Sequence, residues 1–418
     1  PATDEERSET AKGRVRFEGK WMSVAQRDRT IEKRLEERRE QVQDQLDHST
    51  WGKRKKEESR WFAWEHVLPQ HVFERYSGLM DVYFDQFVKE WKIKVPRKKG
   101  KLLVCFYKDH PEMIQVGGAP SGVLGYFRFV EPLELNFFYD RLDPVFTEEV
   151  MFHETNHYLQ SLIDEDFDYP HFPGESLAEY YGASRFEPET GKIETGLVLE
   201  GRLVEVQTDV LAGEMMPLER LITTPRMYEH YNWGWSLIHF LMSDPKTEKA
   251  FTESRVGLAR DREAKRVAAG RGGARTCEPP EVWRYFKECL DVETVEEVRD
   301  LEGAWHEYVR EQLEFVSPHG KSAAAERAIR EGRRLRAKRL HAEALAEGGD
   351  ADPLILHRAA KFHLADGRRS EAIGLWRKAL ALAPLEAEFY AWLGSALRRS
   401  KETEEEGLRL QLLALEID

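Results

Sequence analysis

The residues of this chain best suited to chemistry are two histidines four positions apart, His153 and His157, with a glutamate beside the first. On an α-helix, residues four apart lie on the same face, so both imidazoles can bind one metal ion at the roughly 2.0–2.1 Å typical of zinc. Glu154 lies beside the ion rather than on it, where its carboxylate can take a proton from water. The pattern HExxH therefore predicts a zinc (Zn2+) site, provided that a third ligand completes it.

A third ligand is expected downstream of the histidine pair. A metzincin would have glycine and histidine three and six residues after the second histidine, but Gln160 and Ile163 occupy these positions. Glu175 and Glu179 follow, four residues apart on what we expect to be one face of the next helix. One carboxylate would complete a site of two histidines and one glutamate with a position left for water, and the other would orient a histidine.

The next helix is expected to begin at Glu175, because Pro173 and Gly174 would end the loop before it. His171 lies in that loop, close in sequence to the histidine pair. It is therefore a competing third ligand. A residue in a proline-bounded loop also suits a substrate-side or purely structural role.

Two other groups of polar residues near the motif leave alternatives open. The acidic stretch from Asp164 to Asp168 would either bind a second cation or form a solvated loop, and the solvated loop is the simpler interpretation. Glu200 and Arg202 lie near the start of a further predicted helix, as a cap or as a pair that faces the site. Spacing favours neither interpretation of the second group.

The helix that must position the histidines is predicted to begin at Asp143 and Pro144, with aspartate as N-cap and proline at the first helical position. Phe146 and Val150 then recur at helical spacing, and the two histidines continue the same stripe. The apolar members of this stripe face the core, so we expect both imidazoles to point inward.

A small sheet is predicted before this helix. Three short apolar or aromatic runs, 101–107, 122–130 and 133–140, have the composition of strands. Gly125 and Tyr126, in the second run, are candidate substrate-side residues, because an exposed strand edge there would pair with an extended peptide through main-chain hydrogen bonds.

Three motifs in order resemble the gluzincin metallopeptidases. They read FHETNH, PHFPGESLAEYYG and YNWGWSLIHFLM, and they are similar to a little-characterised set of bacterial gluzincin-like domains that are often followed by tetratricopeptide repeats. The resemblance spans roughly residues 72–316. It departs at Phe172, where tryptophan is usual, and at Ser176, where glycine is usual; neither position is a ligand.

This resemblance implies a role for each motif residue. His153, His157 and Glu175 would be the zinc ligands, and Glu154 would be the general base and acid of a peptide-hydrolysing reaction. Glu179 would contact a ligand from outside the metal shell.

Gluzincins also use a downstream tyrosine or histidine to stabilise the oxyanion. Tyr231 is our choice, since it shares one predicted helical face with Trp235 and Ile238 that would close over the metal. His230 and Tyr228 compete for this role. Tyr231 would otherwise be one aromatic residue of the core.

The chain after residue 316 is rich in alanine and is predicted to be helical. Ser317–Gly320 is a plausible linker. Small and bulky residues follow at the spacing of a tetratricopeptide unit, namely Ala359, Ala360, Ala372, Trp376, Ala379 and Pro384. A second copy is imperfect because Gly407 lies one place off, and a first copy is degenerate within 322–348. These repeats would bind a protein partner or peptide, or would buttress the catalytic domain.

The predicted fold is therefore α+β, with three parts. Residues 1–68 form a charged, partly helical N-terminal extension. Residues 69–316 form a gluzincin-like metallopeptidase domain with a small mixed or antiparallel sheet and zinc-site helices. Residues 317–418 form an all-α module of tetratricopeptide-like repeats.

Composition excludes several other classes. The 418 residues carry a net charge of −13 with both signs mixed, which does not suit a nucleic-acid binder. The three cysteines contain no CxxC pair, which argues against a disulfide framework or a cysteine-ligated zinc site. No apolar run reaches the roughly 18 residues of a transmembrane helix. We expect a soluble protein of unknown compartment, with export after removal of a signal peptide left open, since the sequence begins at Pro1.

Three functional hypotheses follow. The first is a zinc-dependent peptidase with a peptide or protein substrate. The second is a scaffold protein whose zinc site is structural or vestigial and whose helical repeats bind a partner. The third is hydrolysis of a non-peptide amide or ester by the same residues. Glu154 favours an enzyme, because a purely structural site does not require a base.

Overall fold

The structure is a computed structural model that describes residues 3–95, 100–163, 170–253 and 277–417. This part of the chain has an α+β fold, with a central mixed sheet and a helical C-terminal region, as predicted at that level. Within the same ranges, no helix combines the length and the apolar character needed to cross a membrane.

The N-terminal segment is helical with one β-hairpin. Its elements are α1 (Asp4–Ala11), β1 (Arg14–Phe17), β2 (Lys20–Ser23) and α2 (Val24–Asp47). α2 contributes no buried residue, as expected for a segment dominated by charged side chains.

The central sheet has five strands in the order β3-β4-β5-β7-β6. They are β3 (Lys55–Glu58), β4 (Phe62–His66), β5 (Leu102–Tyr107), β6 (Gly125–Arg128) and β7 (Glu134–Phe138). β4, β5 and β7 are parallel, and the two edge strands β3 and β6 are antiparallel to their neighbours. The three predicted strand runs are confirmed as β5, β6 and β7, and the sheet is mixed.

The sheet begins earlier in the chain than we predicted, because β3 and β4 lie inside the segment 1–68 that we took as an extension. The four residues of β3 are all charged, so this strand has no apolar signal in the sequence. Three residues of β4 at period two, Phe62, Trp64 and His66, are buried. β3 belongs to the sheet because it pairs with β4, since its own charged residues have little tendency to form a strand.

Helices cover both faces of the sheet. α3 (Gln70–Glu90) and α5 (Pro144–Ile163) pack on one face, and α4 (His110–Gln115) packs on the other. Successive residues of β5 alternate between the two layers: Val104 and Phe106 face α3 and α5, whereas Cys105 and Tyr107 face α4. α5, which carries the histidine pair, is therefore held against the central sheet.

α6 (His171–Gly182) follows α5 and begins one turn earlier than predicted, so the prediction of a loop at His171 was wrong. Pro173 lies in the first turn of α6. The backbone N–H groups of a first turn have no partner within the helix, so a proline there removes no hydrogen bond.

Smaller elements connect α6 to the C-terminal region. They are β8 (Arg185–Glu187), β9 (Lys192–Glu194), α7 (Glu200–Ala212), α8 (Leu218–Thr223), α9 (Met227–Glu229), a π-helical turn (His230–Gly234), α10 (Trp235–Met242), α11 (Pro279–Leu290) and α12 (Val295–Glu311). The π-helical turn packs tightly on α6: a Cβ atom on Gly234 would lie 2.0 Å from Oγ of Ser176. That hydroxyl donates to the carbonyl of His230 at 3.1 Å, so the serine that replaces the usual glycine bonds the turn.

The C-terminal region consists of three helical hairpins. Their helices are α13 (Pro318–Arg330) and α14 (Arg334–Ala346), α15 (Pro353–Ala365) and α16 (Arg369–Leu382), and α17 (Ala387–Leu397) and α18 (Glu404–Ile417). Gly407, which fits the repeat template poorly, lies against Gly394, whose added Cβ would be 2.6 Å from the Gly407 carbonyl oxygen. Two glycines therefore allow α17 and α18 to cross closely. The predicted linker is part of α13, because Oγ of Ser317 accepts the N–H of Gly320 as an N-cap.

Candidate metal site

Three side chains from two neighbouring helices converge. Nε2 of His153 lies 3.1 Å from Nε2 of His157, and Oε2 of Glu175 lies 3.2 Å from His157 Nε2 and 3.4 Å from His153 Nε2. A tetrahedral zinc ion with ligand distances of about 2.0–2.1 Å separates its ligand atoms by about 3.3–3.4 Å. The three donor atoms thus have nearly the mutual separations that such an ion requires, and their chemistry suits it.

The convergence has local causes in the sequence. Oδ1 of Asp143 accepts the N–H of Phe146 at 3.0 Å, which confirms the predicted N-cap and fixes where α5 begins. Gly182 lets α6 approach α5, because a Cβ atom there would lie 3.2 Å from the carbonyl oxygen of Glu149 and 3.4 Å from Cβ of His153. The two helices therefore cross at the first histidine.

The charge of Glu175 matches its predicted role as a ligand. Burial opposes its ionisation, but both imidazoles outweigh burial and hold the pKa of Glu175 well below its usual range. A carboxylate that stays ionised beside two imidazoles provides the single negative charge of a two-histidine, one-glutamate zinc site.

A carboxylate oxygen of Glu154 lies within 4.8 Å of a ring nitrogen of each histidine, and the side chain is buried. The pKa of its carboxyl is raised to about 8, chiefly by burial; the charge of His157 opposes this rise, and the charges of Glu175 and Glu179 contribute to it. The carboxylate also accepts a hydrogen bond from the backbone of Phe127 in β6. A buried carboxyl that is held in place at the histidine pair is well situated to exchange a proton with water.

β6 approaches α5 at Gly125, where a side chain would not fit. A Cβ atom there would lie 2.6 Å from Cγ1 of Val150 and 3.1 Å from Oε1 of Glu154. Gly125 is thus a substrate-side candidate whose small size permits the contact between the sheet edge and Glu154.

We expect Gly125→Ala to lower the free energy of unfolding by about 1–3 kcal/mol, because the new methyl group forces β6 away from α5. Urea denaturation measures this change. The matched control is Gly78→Ala, at an exposed position of α3 with open space around it. That change should stabilise the helix by about 0.5–1 kcal/mol. Equal responses of the two variants would contradict the close approach of β6 to Glu154.

The structure separates the predicted substrate-side strand residues by face. The hydroxyl of Tyr126 donates to the carbonyl of Gly117 at 3.3 Å, in the layer that covers the opposite face of the sheet. Its side chain is therefore remote from the histidines, because neighbouring strand residues alternate between faces. Phe129, which we did not predict, is 58% exposed, and its ring centroid lies 6.1 Å from that of His157.

Glu179 and Arg202 form the support behind the first histidine. Oε1 of Glu179 lies 3.6 Å from Nδ1 of His153, the ring nitrogen that faces away from the other ligands. Arg202 donates two hydrogen bonds to this carboxylate, at 3.0 and 2.6 Å. Such bidentate pairing fixes a carboxylate in position and orientation. The sequence left open whether Glu200 and Arg202 face the site; Arg202 does.

Glu200 has a different role. Its Oε1 atom accepts the backbone N–H of Val316 at 2.5 Å and of Ser317 at 2.8 Å, and Oγ of Ser317 donates to its other oxygen. Glu200 thus contacts the C-terminal region rather than the histidines. Which of Glu200 and Arg202 turns toward the site depends on the packing of α7.

One half-buried carboxyl near the site was missed by the sequence analysis. Burial raises the pKa of Glu149 to about 8, with Asp143 and Glu179 adding to the effect and Arg202 opposing it. Glu149 precedes His153 by four residues, so helical spacing could have placed it on the same face of α5 as the histidines.

Tyr231 lies close to the histidine pair. Its ring centroid is 6.2 Å from that of His153, and the guanidinium of Arg202 lies 5.0 Å from the ring centre. Burial and the neighbouring carboxylates raise the pKa of its phenol, so the hydroxyl keeps its proton and can donate it in a hydrogen bond. Tyr231 belongs to the π-helical turn, so the α-helical face predicted from Tyr231 through Trp235 is wrong at its first turn.

The competing histidines do not join the cluster. His230 is only 1% exposed, and its Nε2 atom donates to the carbonyl of Leu221 at 3.0 Å, which makes it a core residue rather than a substrate-side one. His171 is exposed at the start of α6, with its ring stacked 6.4 Å from that of His230. The acidic stretch Asp164–Asp168 lies outside the described residues.

A cavity of about 480 Å³ opens beside the π-helical turn. Its lining includes acidic, aromatic and sulfur-containing side chains, among them Asp209, Glu214, Met216, Tyr228 and Trp233. The ring of Tyr228 is 77% exposed and lies 6.0 Å from that of Tyr231, so the cavity adjoins the candidate site. Tyr228 therefore borders this cavity, whereas the ring of Tyr231 lies 6.2 Å from that of His153.

No protein-family model matches the chain, and no curated protein matches it. The likeness to gluzincins therefore depends on the three sequence motifs and on the geometry of the residues within them. The likeness of the helical hairpins to tetratricopeptide repeats likewise depends only on the sequence pattern and on the geometry of the helices.

Proposed function

We propose that the chain is a zinc-dependent peptidase of the gluzincin type. The observation that carries this proposal is the triangle of His153 Nε2, His157 Nε2 and Glu175 Oε2, with sides of 3.1, 3.2 and 3.4 Å. Glu154 beside the triangle supports a catalytic over a structural site, since a structural zinc has four protein ligands and needs no base.

The side chains divide the work of hydrolysis among them. Zinc would supply Lewis acidity, which acidifies water and polarises a carbonyl oxygen. Glu154 would take the proton from the attacking water and deliver it to the leaving amine. Tyr231, which keeps its phenolic proton, would donate a hydrogen bond to the developing oxyanion. Glu179, held by Arg202, would keep the imidazole of His153 oriented.

The edge strand favours a peptide over a small amide or ester as the substrate. β6 is the last strand of the sheet, so its outer edge has no neighbouring strand among the described elements. Phe129 and Val130 continue the chain beyond β6 and are 58% and 75% exposed. An extended peptide can pair with such an edge through main-chain hydrogen bonds and place side chains on this apolar surface.

The hairpins are best interpreted as repeats of the tetratricopeptide type. Their first helices begin at Pro318, Pro353 and Ala387, about 34 residues apart. The small and bulky positions of the template, Ala359, Ala360, Ala372, Trp376 and Ala379, are all buried, as packing between repeats requires.

Metal removal tests the proposed function. We expect the purified chain to hold about one zinc ion per molecule. Chelation should abolish cleavage of a proteome-derived peptide library, and added zinc should restore it. Elemental analysis and mass spectrometry of the cleaved peptides measure the two quantities, with magnesium added to the chelated protein as the control. Stable zinc without any cleavage would instead favour the scaffold hypothesis, and cleavage that survives complete metal removal would refute the mechanism.

A further inference from the structure

The loop that leads into α5 is held by the C-terminal region. Oδ2 of Asp143 lies 2.7 Å from Nε2 of His319, in the first turn of α13. Burial opposes the ionisation of Asp143, but His319 and the N–H of Phe146 hold its pKa below the usual value, with a smaller effect from Arg358 in α15. The residue that caps the metal-binding helix is thus bonded to the first hairpin and lies near the second.

The two residues before Asp143 reach further along the hairpins. Arg141 forms an ion pair with Glu386 and donates to the carbonyl of Leu385 at 3.4 Å, between the second and third hairpins. Leu142 packs on an apolar cluster formed by α15, α16 and α17, with Leu356, Ala379 and Phe389 buried at its centre. Residues from all three hairpins therefore contact the short loop Arg141–Asp143.

The loop is hydrogen-bonded within itself and to α5, so these contacts can act on that helix. Oδ1 of Asp140 accepts the N–H groups of Leu142 at 2.9 Å and Asp143 at 3.0 Å, and Asp140 donates its own N–H to Oγ1 of Thr147 at 2.8 Å. Thr147 lies in the first turn of α5 and is buried. The loop and the start of the helix thus form one bonded unit.

α7 receives a second set of contacts from the first hairpin. Glu200 binds the backbone at Ser317, and a Cβ atom on Gly320 would lie 2.4 Å from the Glu200 carboxyl carbon. Val204, one turn later, packs on Ala325 in α13. Arg202, on the same helix, binds Glu179 behind the first histidine. The first hairpin therefore also contacts the helix that supports the metal ligands from behind.

We infer that the C-terminal hairpins are a positioning element of the metal site, and that their apolar cluster at Leu356, Ala379 and Phe389 receives the chain's own loop Arg141–Asp143 rather than a partner peptide. Of the two roles that the sequence leaves open for the repeats, buttressing is the one these contacts support. The inference rests on the proposed function only in so far as the histidine cluster binds zinc. Because linkage is reciprocal, docking of the hairpins and zinc binding strengthen each other equally.

The double variant Glu200→Ala/His319→Ala tests this coupling, since it removes one contact to α7 and one to Asp143. We expect zinc affinity, measured by competition with a chromogenic chelator at fixed pH, to fall by about 5- to 150-fold, the usual range of coupling between sites. Hydrogen exchange in the metal-free protein should become faster in residues 144–151. Adding zinc to the wild-type chain should slow exchange at residues 316–321, although this segment contains no proposed ligand.

Two further variants keep the test decisive. Arg141→Ala removes the ion pair with Glu386 and the hydrogen bond to Leu385, and the Arg141 side chain is 56% exposed, so this variant should fold and should show a smaller change of the same sign in both measurements. Arg377→Ala, the matched control, breaks a pair with Glu406 inside the hairpins and should change neither. Zinc affinity and exchange equal to wild type in the double variant would overturn the inference and leave the proposed function intact. Absence of zinc binding by the wild-type chain would overturn the proposed function, and exchange in residues 144–151 would still decide whether the hairpins fix α5.

Discussion

The Glu154→Gln variant is expected to bind zinc as the wild-type chain does and to lose peptide hydrolysis by about 10²–10⁴-fold, the usual contribution of a positioned proton-transfer group. Glutamine keeps the size of the side chain and the hydrogen bond from β6, but its amide cannot accept a proton from water. The carboxyl is not one of the three converging donor atoms, so the metal ligands remain. Elemental analysis and initial rates on a cleaved peptide measure the two outcomes.

The control for this variant is Glu219→Gln, at an exposed position in α8 away from the histidine cluster. It should leave both zinc content and rate unchanged. Full hydrolytic activity in Glu154→Gln would remove this residue from the mechanism. Loss of zinc in the same variant would make Glu154 a ligand instead of a base.

The Glu175→Ala variant is expected to lower zinc affinity by more than about 100-fold, because the loss of an outer partner of a ligand already costs about 10–100-fold. The two imidazoles alone offer no negative charge to the ion. Competition with a chelator of known affinity measures the change. Activity at saturating zinc should also fall, since the ion would then be held by two ligands.

The zinc affinities of two further variants are compared with that of Glu175→Ala. Glu179→Gln removes the charge behind His153 and should lower zinc affinity by about 10–100-fold. His171→Ala should have no effect, because the structure places this histidine at the exposed start of α6. A larger loss of zinc affinity in His171→Ala than in Glu175→Ala would show that the third ligand is misassigned.

The core of the candidate site was predictable because its signals are local. Asp143 and Pro144 determine where α5 begins, and the four-residue spacing of the histidines then places both on one face. Glu175 and Glu179 follow the same rule on α6, although the helix begins earlier than its prolines indicated. Residues linked by helical spacing needed no knowledge of the tertiary fold.

The rest of the site depends on packing that spacing does not encode. Tyr126 was predicted on the substrate side, but the pleat turns its side chain to the opposite face of the sheet. Glu200 and Arg202 are two positions apart on α7, and only the placement of the helix between two regions decides which one meets Glu179. The π-helical turn around Tyr231 changes the register of its helix, and β3 pairs with the sheet although its residues are all charged.

The order of synthesis gives the contact between Arg141 and Leu385 a further consequence. The two residues are 244 positions apart, so the loop ahead of α5 gains this contact only after those 244 further residues have been synthesised. Closing so large a loop is slow compared with forming a helix. A nascent chain would therefore contain all three proposed zinc ligands well before the contacts around the start of α5 are complete.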